Sequence, residues 1–60
     1  MTLKQLRERQ GISQKTLGQR AKVTDAYVAQ LETGVRKNPS LTVLKRLAKA
    51  LGVPVAELLE

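Results

Sequence analysis

The chain is 60 residues long, with 11 Lys or Arg, 5 Asp or Glu, no Cys and no His, for a formal charge of +6. Such a length accommodates a single domain, residues 1–60, which buries only about three fifths of the surface its unfolded form exposes. Hydrophobic packing must therefore stabilise it without disulfides or the usual zinc clusters, and no metal site or cofactor is expected.

The same inventory argues against an enzyme, because no nucleophile and base can be paired from it. The nearest carboxylates, Asp25 and Glu32, would stand about 10 Å apart along one helix, wide even for an inverting glycosidase. No small-molecule ligand is predicted. No apolar run approaches a membrane span, and Met1 leads into amphipathic sequence without a signal-peptide pattern, so a soluble cytoplasmic protein is expected. The positive excess favours a polyanionic partner, nucleic acid before membrane, since Tyr27 is the sole aromatic residue and lipid-binding helices need bulky apolar anchors. That scarcity also argues against stacking on single strands.

Apolar residues recur at three- and four-residue steps between short punctuating segments, which predicts an all-α fold. Thr2 and Gln5 form a capping-box pattern opening a first helix, with Leu3 and Leu6 inward, that closes near Gln10 before Gly11. Ser13 caps a second helix running to about Ala21, with Ile12 and Leu17 as a hydrophobic staple. Thr24 caps a third, reaching Thr33 before Gly34, stapled by Val23 and Val28, with Asp25 near the positive end of the dipole. Only Lys22 and Val23 separate these two helices.

Val35 to Pro39 reads as a basic loop, after which Ser40 caps a longer helix ending at Gly52. Leu41, Leu44, Leu47, Ala48 and Leu51 share its apolar arc, while Lys45, Arg46 and Lys49 share the opposite one. Val43 and Ala50 fall outside the main arc and either seal the last helix or supply a small self-contact. Pro54 suits the first turn of a fifth, short helix carrying Val55, Leu58 and Leu59.

Two short helices joined by a very tight turn, each stapled at its entry, are what a helix-turn-helix needs to fix one helix across another. The run SQKTLGQRAKVTDAYVAQLETG, from Ser13 to Gly34, resembles the motif of the phage-repressor and Cro (XRE-like) transcriptional regulators. The following VRKNPSLTVLKRLAKALGVPVAELL extends the resemblance over essentially the whole chain. The resemblance implies a compact five-helix, lambda-repressor-like bundle whose third helix reads the major groove of double-stranded DNA, and hence transcription regulation in a prokaryote or phage, at the nucleoid. Leu17, Ala21, Val23, Val28 and Leu31 are apolar where the motif helices meet, and Gly18 is small where their backbones cross. Lys22 departs from the pattern: it stands where the family usually has a left-handed Gly, at a cost of about 1 kcal/mol, which leaves the fine angles of the turn open.

Arg7 and Glu32 each share an arc with core leucines on their helical wheels, and a lone inward charge is expensive. A salt bridge between them is therefore expected, and the resembled family shows such a pair at the matching positions. On the outer arc of the third helix, Asp25, Ala26, Tyr27, Ala29 and Gln30 are candidate base readers. Gln30 matches adenine in bidentate fashion, Asp25 accepts from a cytosine amino group, and Tyr27 packs on a thymine methyl or bonds a phosphate. Each has a plainer alternative: Asp25 favouring the dipole, Tyr27 covering the bundle rim, Gln30 solvated. Candidate phosphate contacts are Gln14, Thr24, Arg36, Lys37, Asn38 and the amides near Ser40, with Arg36, Lys37 and Asn38 also placed for the adjacent minor groove.

A protein-interaction module on the same fold, antitoxin-like or a transcriptional adaptor, is the alternative function. Proteins of the resembled family bind as two-fold homodimers on inverted half-sites about 34 Å apart. This chain shows no evident dimerisation segment, so its oligomeric state stays open.

Overall fold

The computed structural model describes residues 2–36 and 39–58. The expectations for Lys37, Asn38 and Leu59 fall outside them. Among the described residues the chain forms α1 (Leu3–Arg9), α2 (Gln14–Ala21), α3 (Asp25–Thr33) and α4 (Leu41–Leu51), followed by a 3-10 turn, Val55–Leu58.

Each α-helix opens on a hydroxyl residue in extended backbone whose side chain accepts an amide three residues on. Thr2 accepts from Gln5, Ser13 from Thr16, Thr24 from Tyr27 and Ser40 from Val43. Thr2 and Gln5 complete the reciprocal capping box, the Gln5 side chain returning to the Thr2 amide at 2.9 Å. These caps satisfy amides that a helix start otherwise leaves without partners, and they set boundaries within a residue or two of the predicted ones. Gly34 and Gly52 end α3 and α4 in the left-handed conformation.

The core is a single cluster of Leu6, Leu17, Ala21, Val28, Leu47 and Leu51, with Leu3, Ile12, Val23, Leu31, Val43, Ala50, Val53 and Leu58 packed against it. α2 lies at its centre, in contact with both α3 and α4, while α1 leans on α3. The body measures 23 × 22 × 18 Å. Gln10, just past the end of α1, ties it to the end of α4, its side-chain amide donating to the Leu51 carbonyl.

The structure corrects two features of the predicted bundle. Among the described residues it has four α-helices rather than five, because Val55–Leu58 form a 3-10 turn in which the Glu57 amide donates to the Pro54 carbonyl at 3.0 Å. A four-residue stretch supports the tighter i to i+3 bond but not the propagated ladder that makes an α-helix stable. In the predicted apolar arc of α4, Leu47, Ala48 and Leu51 are buried, but Leu41 is 56 % exposed. Val43 and Ala50 pack against the core, in keeping with a sealing role. Side chains on a helix lean toward its N-terminus, so Leu41, the first helical residue, points back past the helix end rather than onto α2. Val43 and Ala50 are covered because α4 is flanked by the 3-10 turn as well as by α2.

Candidate nucleic-acid interface

The geometry of α3 is set by how closely α2 approaches its start. Gly18 sits where an added Cβ would lie 2.8 Å from the Val23 carbonyl oxygen and 3.2 Å from the Asp25 amide nitrogen, both backbone atoms. The Gly18 carbonyl in turn accepts the Val23 amide at 2.8 Å. Between them Lys22 adopts φ 60° and ψ 40°, the one non-glycine residue with positive φ among those described. The turn therefore keeps the left-handed geometry that the lysine put in question, and the chain bears the side-chain strain there.

The other brace is ionic. Arg7 donates through Nε to Glu32 Oε2 at 2.6 Å and through a second guanidinium nitrogen to Oε1 at 3.0 Å, while its third nitrogen donates to the Ile12 carbonyl at 2.8 Å. Gln14 of α2 donates to the same Oε1 at 3.1 Å. The two charged side chains are 12 % and 3 % exposed. Burial opposes ionisation of Glu32, yet the hydrogen bonds from Arg7 and Gln14 and the positive charges of Arg7 and Lys4 together hold its carboxyl below the ordinary glutamate value. The hydrogen bond to Glu32 raises the Arg7 value in turn. One carboxylate thus binds α1, α2 and α3 together.

With Val28 fully buried on its inner side, α3 turns the opposite face outward. Asp25 and Ala26 are exposed there, and Tyr27, Ala29 and Gln30 are half-exposed. Asp25 accepts the Ala26 amide at 2.9 Å, in keeping with its placement in the first helical turn. The hydroxyl oxygens of Thr24 and Ser40 accept amides at 3.0 and 3.3 Å, and each O–H proton is left to donate. Gln14 is half-buried with one amide proton committed to Glu32, which leaves a second donor.

Arg36, expected from the sequence as a phosphate or minor-groove contact in the loop after the third helix, is engaged within the protein. Its amide donates to the Gln30 carbonyl at 3.1 Å, its Nε donates to Gln30 Oε1 at 3.3 Å, and its guanidinium lies 4.9 Å from the centre of the Tyr27 ring. The sequence carried no signal for this cluster, because it depends on the chain folding back across the left-handed Gly34. Among the described residues no helix is long and apolar enough to cross a membrane, and no group of carboxylates could hold a metal ion.

A short helix braced against a second one across a three-residue turn, and bearing an outward polar face, defines a helix-turn-helix domain. The helix-turn-helix family model matches residues 3–58, and the chain belongs to that family, in its XRE-like branch. It is 40 % identical over 58 residues to the HTH-type transcriptional regulator DdrOP3 of Deinococcus deserti, covering 97 % of this chain and 44 % of that protein. It is 33 % identical over 58 residues to the HTH-type transcriptional regulator SinR of Bacillus subtilis, covering 97 % of this chain and 52 % of that one. The chain thus spans about half the length of these curated relatives. The solved N-terminal DNA-binding domain of SinR superposes with a TM-score of 0.90 at 33 % identity, over 97 % of this chain and 84 % of that one.

Proposed function

We propose that the chain is a sequence-specific, non-enzymatic double-stranded DNA-binding domain of a transcriptional regulator, with α3 lying in the major groove. The observation that carries this reading is that α3 is held by α2 and by the Arg7–Glu32 pair while Asp25, Ala26, Tyr27, Ala29 and Gln30 stay accessible on its outer face. These five residues form the surface that faces the base edges, and the two alanines permit the backbone to come close. Gln14, Thr24 and Ser40, at or beside the starts of α2, α3 and α4, bond phosphates through their remaining donors, where helix dipoles favour negative charge. Lys37 and Asn38 add backbone contact beyond α3.

The likeness to the SinR DNA-binding domain supports this reading, and its bacterial relatives support a cytoplasmic, nucleoid-associated role. Two such domains related by a two-fold axis would set their α3 helices about 34 Å apart, in successive major grooves on inverted half-sites.

Selection from a random duplex library followed by fluorescence anisotropy across a salt series tests the proposal. Enrichment of a defined half-site is expected, with affinity falling on a log-log slope of about −0.9 per neutralised phosphate. A protein-docking module would enrich no sequence, and its hydrophobic contacts would be nearly insensitive to salt. Resonance titration should then perturb the outer face of α3; shifts confined to another surface would overturn the proposal.

A further inference from the structure

The fold-back of Arg36 joins three side chains into one unit. Tyr27 and Gln30 are neighbours on one face of α3, three residues apart, and Arg36 lies across both. Its backbone is anchored by the hydrogen bond from its amide to the Gln30 carbonyl, and its guanidinium is held by Nε on Gln30 Oε1 and by its place over the Tyr27 ring. Ring and amide therefore fix the orientation of a group that would otherwise be a loosely solvated loop charge.

The orientation decides which hydrogen bonds remain. With Nε engaged, the guanidinium keeps its two terminal nitrogens as donors, and with Oε1 accepting from Arg36, the Gln30 NH2 group keeps its donors as well. The unit presents donors and little acceptor capacity. Adenine shows an acceptor at N7 but a donor at N6, so its bidentate match to glutamine draws on the Gln30 oxygen, one of whose two lone pairs already accepts from Arg36. Guanine shows two adjacent acceptors, O6 and N7, and suits a paired donor.

We propose that Tyr27, Gln30 and Arg36 form a guanine-selecting unit, in which Arg36 bonds O6 and N7 of one guanine in the major groove while Tyr27 and Gln30 act as positioning residues. This rests on the reading of α3 as the groove helix. It replaces the adenine preference expected of Gln30 and the phosphate role expected of Arg36. A phosphate is also an acceptor, but a planar pair of donors stacked on the groove-facing side of α3 matches a flat base edge better than a backbone oxygen that any flexible cation can reach.

Replacing each guanine of the selected half-site in turn by 7-deazaguanine, which lacks the N7 acceptor, tests the unit directly. For the unaltered protein one such replacement should weaken binding about tenfold, the effect of losing a single hydrogen bond to a charged donor. Arg36→Ala should bind the normal and modified duplexes equally, and Tyr27→Leu should reduce the guanine-over-adenine preference at that position without changing the melting temperature. The proposal is overturned if no replacement matters, if the sensitive guanine stays sensitive in Arg36→Ala, or if Arg36→Ala weakens all duplexes alike while lowering the salt slope by about 0.9, the signature of a phosphate contact. Failure to enrich any duplex would overturn both this unit and the DNA-binding reading, whereas enrichment without guanine dependence overturns this unit alone.

Discussion

Arg7 of α1 and Glu32 of α3, 25 residues apart in sequence, meet in a two-pronged ion pair whose shorter arm is 2.6 Å. Truncating the arginine leaves a carboxylate only 3 % exposed with Gln14 as its remaining donor. Arg7→Ala should therefore lose about 3 kcal/mol of stability, most of what a chain of this size possesses. Chemical denaturation checks it; an unchanged midpoint would mean that the pair contributes nothing net.

The same carboxyl makes the fold sensitive to acid. Its value is held below normal in the folded protein, whereas in the unfolded chain it titrates at about 4.3. Above that pH both states are ionised and the stabilisation is fully present. It drains away as pH falls through the lower, folded-state value, because the unfolded chain takes up the proton first. Melting temperatures measured from neutral pH down to about pH 2.5 should drop on this limb, and Glu32→Gln should flatten it.

At Gly18 the crowding atoms are backbone, which has no flexible tip to move aside. Gly18→Ala would raise helix propensity by about 1 kcal/mol, yet overpacking at 2.8 Å from the Val23 oxygen should outweigh that. A net loss of about 1–2 kcal/mol is expected, with DNA affinity lost even where the protein remains folded, since the α2 to α3 angle would shift. Equal affinity and stability in the variant would contradict the close approach.

Lys22→Gly should act in the opposite direction. Relieving the left-handed side chain at φ 60° is worth about 1 kcal/mol, which raises the melting temperature by about 4–8 °C in a domain this small. A scanning calorimetry trace with no gain would show that the unfolded-state entropy of the new glycine cancels the relief.

What the sequence made legible were the features whose causes are local. Thr2, Ser13, Thr24 and Ser40 declare helix starts because a cap needs only three residues of context. The inward placement of Arg7 and Glu32 followed from helical periodicity, whereas the close approach at Gly18 was read through the family resemblance. Features that depend on two neighbours at once were not legible. The exposure of Leu41, despite its place on the predicted apolar arc of α4, depends on where the neighbouring segments end. The engagement of Gln14 with Glu32 and of Arg36 with Gln30 and Tyr27 requires side chains to meet across separate segments. A period count could not tell that Val55–Leu58 would take the 3-10 rather than the α form, since their spacing fits either helix type.

Glu32 has a further consequence for how the domain opens. A carboxylate shared by partners on α1 and α2 gives α3 no way to fray alone, because releasing it strands a charge and unties two other helices at once. Amide exchange in all three should then converge on one opening event, and warming would abolish duplex recognition abruptly, with global melting, rather than by gradual loosening of one surface.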